Sequence, residues 1–500
     1  MVASTRILSR SSWLFVAVYA VLLHAVVAVV LWKSDFLEIV AKNLPFIQSA
    51  TLATYAGVGP APVSNDRIAV QTIELDLPVA VIDDGAGGLI AVDADGDGRR
   101  DLVVTKPGHI AVYDLSGRKL WTRRIDIQVT RSWTSDGLPG LHGPGVQAAD
   151  IDGDGATEIL FLTRDNVLHV VAGATGADKH RVALPPPPAG AAHWEHVVVA
   201  NFRGVGERDL LLQASNVAGY RVGRFLAAYA ADALLADAAA APLWTRQNFL
   251  PAIHSGARVA DLDGDGRDEV LGAMLLGPDG GILTVLPVAG HIDSIFVADV
   301  RPDLPGREAI ALEEGGGNRV FLYNHTGLIW EVDHRGWEPQ NAALGEFDET
   351  RPGLEVWNRS RFNQHQRPFV FDAQGRLITQ YEMREVAPAG WTVRGVEVIF
   401  PIHWTGGARQ LAAAKERHKA GDIAIFDPIS GAFVHRIEET ADRLYVADVA
   451  GDWREELIVL SGNQIRIYSN TAPNPNPDRA SLWTDRDYRL GKMTWNYYNP

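Results

Sequence analysis

The stretch DADGDGRRD, at residues 93–101, carries four carboxylates in nine residues, at loop positions 1, 3, 5 and 9. Like charges this close repel one another unless a cation lies between them. Two further copies follow, DIDGDGATE at 150–158 and DLDGDGRDE at 261–269. Oxygen ligands that converge from a tight, glycine-containing turn are what a hard cation prefers, so the pattern predicts Ca²⁺-binding loops.

These loops are not EF-hands. An EF-hand needs a glutamate at position 12, where this chain has Val104, Phe161 and Gly272. The segments that follow the loops, such as EILFL at 158–162, are short and apolar, as in buried strands. The acidic loops are therefore predicted to connect β-strands.

Weaker copies of the loop fill the rest of the chain, at 201–209, 299–308, 346–355, 401–410 and 448–456. The copy at 201–209 has lost its middle carboxylates and is predicted to bind no ion, whereas the last copy keeps three. The predicted metal ligands are Asp93, Asp95, Asp97, Asp101, Asp150, Asp152, Asp154, Glu158, Asp261, Asp263, Asp265, Glu269, Asp448, Asp452 and Glu456.

The eight copies start 38 to 60 residues apart, and four short strands fit each interval. Four strands at such a period are typical of a β-propeller blade. The sequence thus predicts an all-β fold, an eight-bladed β-propeller with calcium-binding DxDGDG loops. Because the period is irregular, seven blades is the alternative.

The N-terminus predicts a membrane anchor. Residues 12–32 are almost continuously apolar, and Arg6 and Arg10 precede them, which favours a cytoplasmic N-terminus at 1–11. A cleaved signal peptide is the alternative. Residues 33–64 are interpreted as a linker and 65–500 as the propeller, on the periplasmic or extracellular side of a single-pass membrane protein.

Composition limits the partners. The net charge of −15 argues against nucleic acid, and the absence of cysteine excludes disulfides and thiol chemistry. No serine elbow, phosphate-binding loop or HExxH motif is present.

In a propeller, the loops between first and second strands emerge on one face. The turns between second and third strands, and the connections from each blade to the next, emerge on the opposite face. The segments predicted for that second face are rich in His, Trp, Arg and Lys. Loops on a rigid scaffold commonly carry function. The candidate catalytic residues on this face are His291, Asp293, His334, Arg359, Arg361 and Lys415, and the candidate substrate-binding residues are Trp194, Trp337, His365 and His418.

These residue types favour an acidic polysaccharide as partner. Tryptophan stacks on sugar rings, and cationic side chains pair with carboxylates. A lyase acting on a uronate must remove the proton beside the carboxylate, which requires a cation to hold the developing charge and a base such as His or Lys. The alternatives are a non-catalytic propeller that binds glycans or proteins at the cell surface, and a scaffold of a membrane complex.

The loops look like FG-GAP repeats, and the C-terminal half carries a more specific resemblance. The segments AGHIDSIFVADVRPDLPGREAI (289–310), RPGLEVW (351–357), DRLYVADVAGDWREELIV (442–459) and the tail 465–500 resemble the rhamnogalacturonan lyases of polysaccharide lyase family eleven. The resemblance implies a calcium-bearing eight-bladed propeller that cleaves pectin by β-elimination. It also implies that His291 and Asp293 are site residues, and that the Asp448–Asp452 loop is structural.

Overall fold

The computed structural model describes residues 65–77, 87–127, 145–216, 222–253, 256–333, 337–361, 366–417 and 421–494. The predicted anchor at 12–32 and the linker at 33–64 lie outside them. Within these ranges, no helix has both the length and the apolar character needed to cross a bilayer.

Eight four-stranded antiparallel sheets form the fold, which confirms the eight-bladed propeller. The first four blades contain β2 (Gly88–Val92), β3 (Asp101–Lys106), β4 (His109–Asp114), β5 (Lys119–Arg124); β6 (Val146–Ala149), β7 (Glu158–Thr163), β8 (Val167–Ala172), β9 (Asp178–Ala183); β10 (Ala191–Ala200), β11 (Asp209–Asn216), β12 (Val222–Ala230), β13 (Trp244–Arg246); and β14 (Arg258–Ala260), β15 (Glu269–Leu271), β16 (Met274–Leu276), β17 (Ile282–Val285).

The remaining blades contain β18 (His291–Ala298), β19 (Glu308–Glu314), β20 (Arg319–Asn324), β21 (Gly327–Asp333); β22 (Pro339–Gly345), β23 (Glu355–Ser360), β24 (Pro368–Phe371), β25 (Leu377–Gln380); β26 (Val396–Ile402), β27 (Leu411–Glu416), β28 (Gly421–Phe426), β29 (Phe433–Ala441); and β30 (Arg443–Ala447), β31 (Glu456–Ser461), β32 (Gln464–Asn470), β1 (Ile68–Glu74). The eighth blade is thus closed by the N-terminal strand, since β1 pairs with β32 from Ile68 opposite Asn470 to Glu74 opposite Gln464.

Burial follows the position of a strand in its blade. In the second blade, every residue of β7 (EILFLT) is buried. In the outer strand β9 only Val182 is buried, and the other residues are exposed or half-buried. Apolar side chains from neighbouring blades form shared cores between the sheets. The first strands of most neighbouring blades contact each other around the centre. We call the space inside this ring the channel.

Each acidic loop joins the first and second strands of its blade. We call that end of the channel the loop face, and the opposite end the turn face. The start of each first strand pairs with the end of the second strand at the turn face, as His291 does with Glu314 and Asn341 with Arg359.

Three α-helices and a 3₁₀-helix complete the described fold: α1 (Ala231–Ala236), α2 (Met383–Val386), the 3₁₀-helix Leu482–Thr484 and α3 (Arg486–Met493). Helix α3 enters the channel at the loop face. Its Arg486 makes a two-pronged ion pair with Asp268, with both N–O distances 2.7 Å. Further along, Lys492 donates to Glu455 at 2.8 Å. The C-terminal helix therefore links loops of separate blades.

Candidate functional site

Three side chains at the turn face of the fifth blade form a compact cluster. His291 starts β18, Asp293 lies two residues later, and Glu314 ends the neighbouring strand β19. The register places His291 opposite Glu314, with Nε2 3.7 Å from the carboxylate. One ligand atom from each of the three residues lies within 4.8 Å of the others, close enough to hold one metal ion.

The cluster concentrates negative charge below the surface. Asp293 is fully buried. Burial raises the pKa of Asp293 well above its ordinary value, and Glu314 raises it further, against the opposing effect of Arg359 and Arg361. A bound cation would favour the charged form of both carboxyl groups, so the donor set fits a divalent cation.

Arg361 lies directly beside the cluster. Its Nη1 donates to Glu314 at 2.6 Å and to Glu338 at 3.1 Å. The side chain is 41% exposed, so this guanidinium can reach a ligand in solvent. It therefore offers a planar cation next to the candidate metal ligands.

Buried cations extend the cluster into the sixth and seventh blades. Arg359 donates to Gln340 at 2.9 Å and to the Glu397 carbonyl at 3.0 Å. Arg417 also donates to Gln340, at 3.1 Å. The Lys415 ammonium bonds to the Glu397 carboxylate, and Lys415 is 2% exposed. Gln340 and Glu397 thus hold three cations together across two blades.

The structure therefore brings five of the six candidate catalytic residues to one end of the channel. The five are His291, Asp293, Arg359, Arg361 and Lys415, and they are joined through Glu314, Gln340 and Glu397. His334 lies outside the described residues. Sequence reasoning missed the three joining residues, because their role depends on which strand ends face each other.

The two candidate substrate-binding residues that the structure describes belong to different blades, with Trp194 on β10 and Trp337 just before β22. Trp194 is 2% exposed, packs at 5.6 Å against Phe225 in the core between blades, and donates to the Pro185 carbonyl at 2.7 Å. Its indole is therefore used for packing. Trp337 is half-buried, with the Arg367 guanidinium 5.4 Å from its ring centroid. His365 and His418 lie outside the described residues.

The acidic loops share one backbone shape. The two glycines of the first loop, Gly96 and Gly98, have φ of 79° and 85°, values that favour glycine, and the matching glycines of the second and third loops lie within a few degrees. In the first loop the Asp93 carboxylate accepts from both amides, at 2.9 and 3.0 Å. This folding directs the other carboxylates toward a common centre.

The donor sets of the first and third loops fit a hard cation. Ligand atoms of Asp93, Asp95 and Asp101 lie within 4.8 Å of one another, as do those of Asp261, Asp263 and Asp265. Burial and the neighbouring carboxylates raise the pKa of Asp101 to about 6 and that of Glu269 to about 8. Burial is the larger cause of both shifts. In the third loop, Arg267 also pairs with Asp265 at 2.6 Å.

Glu195 on β10 is a buried carboxyl group outside the cluster. Its two carboxylate oxygens accept no hydrogen bond from the described part of the chain. It lines a small cavity in the channel with Gln147, Arg258 and Thr494. Burial raises the pKa of Glu195 well above its ordinary value and lowers that of His196 to about 3. Burial thus favours the neutral form of both side chains.

We expect Glu195→Gln to stabilise the protein near pH 8 and to have little effect near pH 4. Since the native pKa lies above the unfolded value, the native carboxyl keeps its proton after the unfolded chain has lost it. Wild-type stability should therefore fall relative to the variant by about 1.4 kcal/mol per pH unit between those two pKa values. Denaturant unfolding at both pH values measures this difference, and a difference independent of pH would contradict the assignment.

Comparison with known proteins connects this architecture to a family. Residues 247–499, just over half of the chain, match the model "Rhamnogalacturonan lyase family 11, C-terminal domain". Residues 93–161 match an FG-GAP-like repeat.

Two curated proteins of Bacillus subtilis (strain 168) are similar along most of the chain. The rhamnogalacturonan endolyase YesW is 26% identical over 470 residues, which cover 81% of this chain and 70% of YesW. The rhamnogalacturonan exolyase YesX is 24% identical over 479 residues, which cover 81% of this chain and 74% of YesX.

The crystal structures of these two proteins share the fold. The YesX structure aligns with a TM-score of 0.65 and that of YesW with 0.61, each at 21% identity and covering 86% of this chain and 80% of the other. At that identity the structures support the fold alone. The family model, however, spans more than half of the sequence, and the chain therefore belongs to rhamnogalacturonan lyase family 11.

Proposed function

We propose that this chain is a polysaccharide lyase that cleaves an acidic polysaccharide of the rhamnogalacturonan type by β-elimination at the turn face of its channel. The observation that carries the proposal is the cluster of His291, Asp293 and Glu314 with Arg361 beside it. Membership in the family and the names of the two relatives support the substrate class.

The cluster has the parts that this reaction needs. In β-elimination a base removes the proton beside the uronate carboxylate and a carbon–carbon double bond forms. The bond to the leaving sugar oxygen breaks, and that oxygen takes the electron pair and a proton to become a hydroxyl group. The carboxylate must be neutralised as negative charge develops. Arg361, the most exposed cation of the cluster, is placed to pair with it. A divalent cation on His291, Asp293 and Glu314 would supply further charge stabilisation.

Lys415 is the group that we assign to proton transfer. Its Nζ donates to the Glu397 carboxylate and, at 3.1 Å, to the Glu416 carbonyl. To act as the base, Lys415 would have to meet the substrate as a neutral amine, which is the form that accepts a proton. We expect Lys415→Met to lower kcat by about 10²–10⁴-fold while the KM changes little. Steady-state kinetics check this, and a changed KM with an unchanged kcat would refute the assignment.

Ca²⁺ is the cation we propose for the first and third acidic loops, and for the last loop through Asp448, Asp452 and Glu456. We expect EDTA to lower the thermal midpoint of the full chain by several degrees and added CaCl₂ to restore it, because a ligand that binds only the native state stabilises it. Differential scanning calorimetry measures the midpoint. An unchanged midpoint in EDTA would contradict the proposal that these loops bind Ca²⁺.

We further propose that residues 12–32 anchor the chain, with the propeller on the outer side of the membrane. The support is the length of the apolar segment and the arginines before it. Protease treatment of intact cells is expected to digest the propeller and spare residues 1–11. Recovery from the culture medium of a chain that lacks the apolar segment 12–32 would instead indicate a cleaved signal peptide.

A panel of polymers tests the substrate class. The full chain with Ca²⁺ is incubated with rhamnogalacturonan, homogalacturonan and a neutral glucan, and ultraviolet absorbance follows the unsaturated uronate product. We expect a rise with rhamnogalacturonan and none with the glucan. Binding of a polymer without any rise would favour a surface-binding propeller.

A further inference from the structure

The second acidic loop, residues 150–158, already contains a cation from the protein. The Lys179 ammonium lies 2.6 Å from Asp152, 2.7 Å from Asp154 and 2.8 Å from Glu158. Lys179 belongs to β9, the outer strand of the same blade. We propose that Lys179 takes the place of the Ca²⁺ ion in this loop, so that the second blade is closed without metal. This inference rests on the proposal that other acidic loops bind Ca²⁺.

The number of donors matches the number of contacts. An ammonium group has three N–H donors, and Lys179 directs them to three separate carboxylates. The fourth loop carboxylate, Asp150, accepts from the Gly155 amide at 3.1 Å through one oxygen. Its other oxygen is buried and bonds to nothing among the residues described. This is the arrangement expected when three donors serve four carboxylates.

The same four carboxylates lie close enough together to hold a metal ion. The ammonium and a Ca²⁺ ion would, however, compete for the same oxygens. Glu158 is fully buried and needs a nearby positive charge, which Lys179 supplies at 2.8 Å. Since Lys179 is covalently part of the blade, its ammonium is always close to the loop, and dissolved Ca²⁺ would have to displace it.

The neighbouring blades show that this lysine is specific to the second loop. In the first blade, Lys119 occupies the start of the outer strand β5 but donates to Asp76 at 2.7 Å, away from the acidic loop. In the third blade, whose loop has lost its middle carboxylates, Arg203 lies at loop position 3 and its Nε is 2.6 Å from Asp209. A protein cation thus also compensates Asp209, the carboxylate at loop position 9 of that degenerate loop.

Ion counting tests the proposal. Bound Ca²⁺ per full-length chain is measured by equilibrium dialysis and elemental analysis for wild type, Lys179→Met and the matched control Lys119→Met. We expect Lys179→Met to gain one ion and the control to gain none. In the wild-type background, Asp152→Asn should leave the count unchanged. No gain in Lys179→Met, or loss of one ion in Asp152→Asn, would overturn the proposal.

Two additions keep this test independent of variant folding and of the calcium proposal. Asp95→Asn and Asp263→Asn, in the first and third loops, should each lose one ion. If these two variants kept their full ion count, the result would count against the calcium proposal and not against the role of Lys179.

Hydrogen exchange of the wild-type chain should show that EDTA deprotects 93–101 and 261–269 but leaves 150–158 protected. Deprotection of all three loops would overturn the role of Lys179.

Discussion

Asp293→Asn is expected to reduce the rate of polysaccharide cleavage by about 10³-fold, through the loss of charge stabilisation at the cluster. Asparagine has nearly the volume of aspartate, so the buried position remains filled. The asparagine amide cannot carry the negative charge of the Asp293 carboxyl group, whose pKa is raised by burial and by Glu314. A cation would lose one of its three ligand side chains. Initial rates on rhamnogalacturonan measure the effect.

The matched control is Asp299→Asn, which makes the same change just beyond the loop-face end of the same strand, where the side chain is exposed. It should retain most of the activity, because Asp299 lies at the opposite end of the channel. Equal loss of activity in both variants would indicate a general effect on the fifth blade. Full activity in a folded Asp293→Asn protein would show that the cluster takes no part in the reaction.

Arg486→Ala is expected to have the largest effect on stability. It would leave the fully buried Asp268 without its ion-pair partner on helix α3, although the Asn201 amide still donates to that carboxylate at 2.6 Å. Removing one partner of a buried ion pair costs about 3–5 kcal/mol. Denaturant unfolding of the full chain should show this loss.

Arg489→Ala is the control on the same helix. Arg489 is 36% exposed and pairs with Glu207 at 3.1 Å, and exposed pairs contribute about 0–1 kcal/mol. A similar small loss in Arg486→Ala would mean that the C-terminal helix does not hold the loop face together.

The sequence was sufficient to predict the fold because the acidic loop is a local signal that recurs once per blade. Each copy marks the same connection, between first and second strands, so counting the copies counted the blades. Closure of the ring could not be predicted in this way. The pairing of β1 with β32 joins the two ends of the propeller, and no local pattern in either strand specifies its partner.

The candidate site was only partly predictable. Cationic and imidazole side chains near strand ends indicated the turn face, and the family resemblance indicated His291 and Asp293. Glu314 was not found, because its place opposite His291 follows from the register of two strands. Trp194 was predicted to lie at the surface, and the structure places it elsewhere. Its neighbours in the sequence indicated a surface loop, but the indole is buried between blades.

The central claim is that the turn-face cluster carries out β-elimination. The most direct test follows the ultraviolet absorbance of rhamnogalacturonan incubated with the full chain and Ca²⁺, beside the Asp293→Asn variant at equal concentration. We expect a steady rise for wild type that EDTA abolishes, and almost none for the variant. A wild-type protein that is folded and binds the polymer, yet gives no rise at any Ca²⁺ concentration, would contradict it.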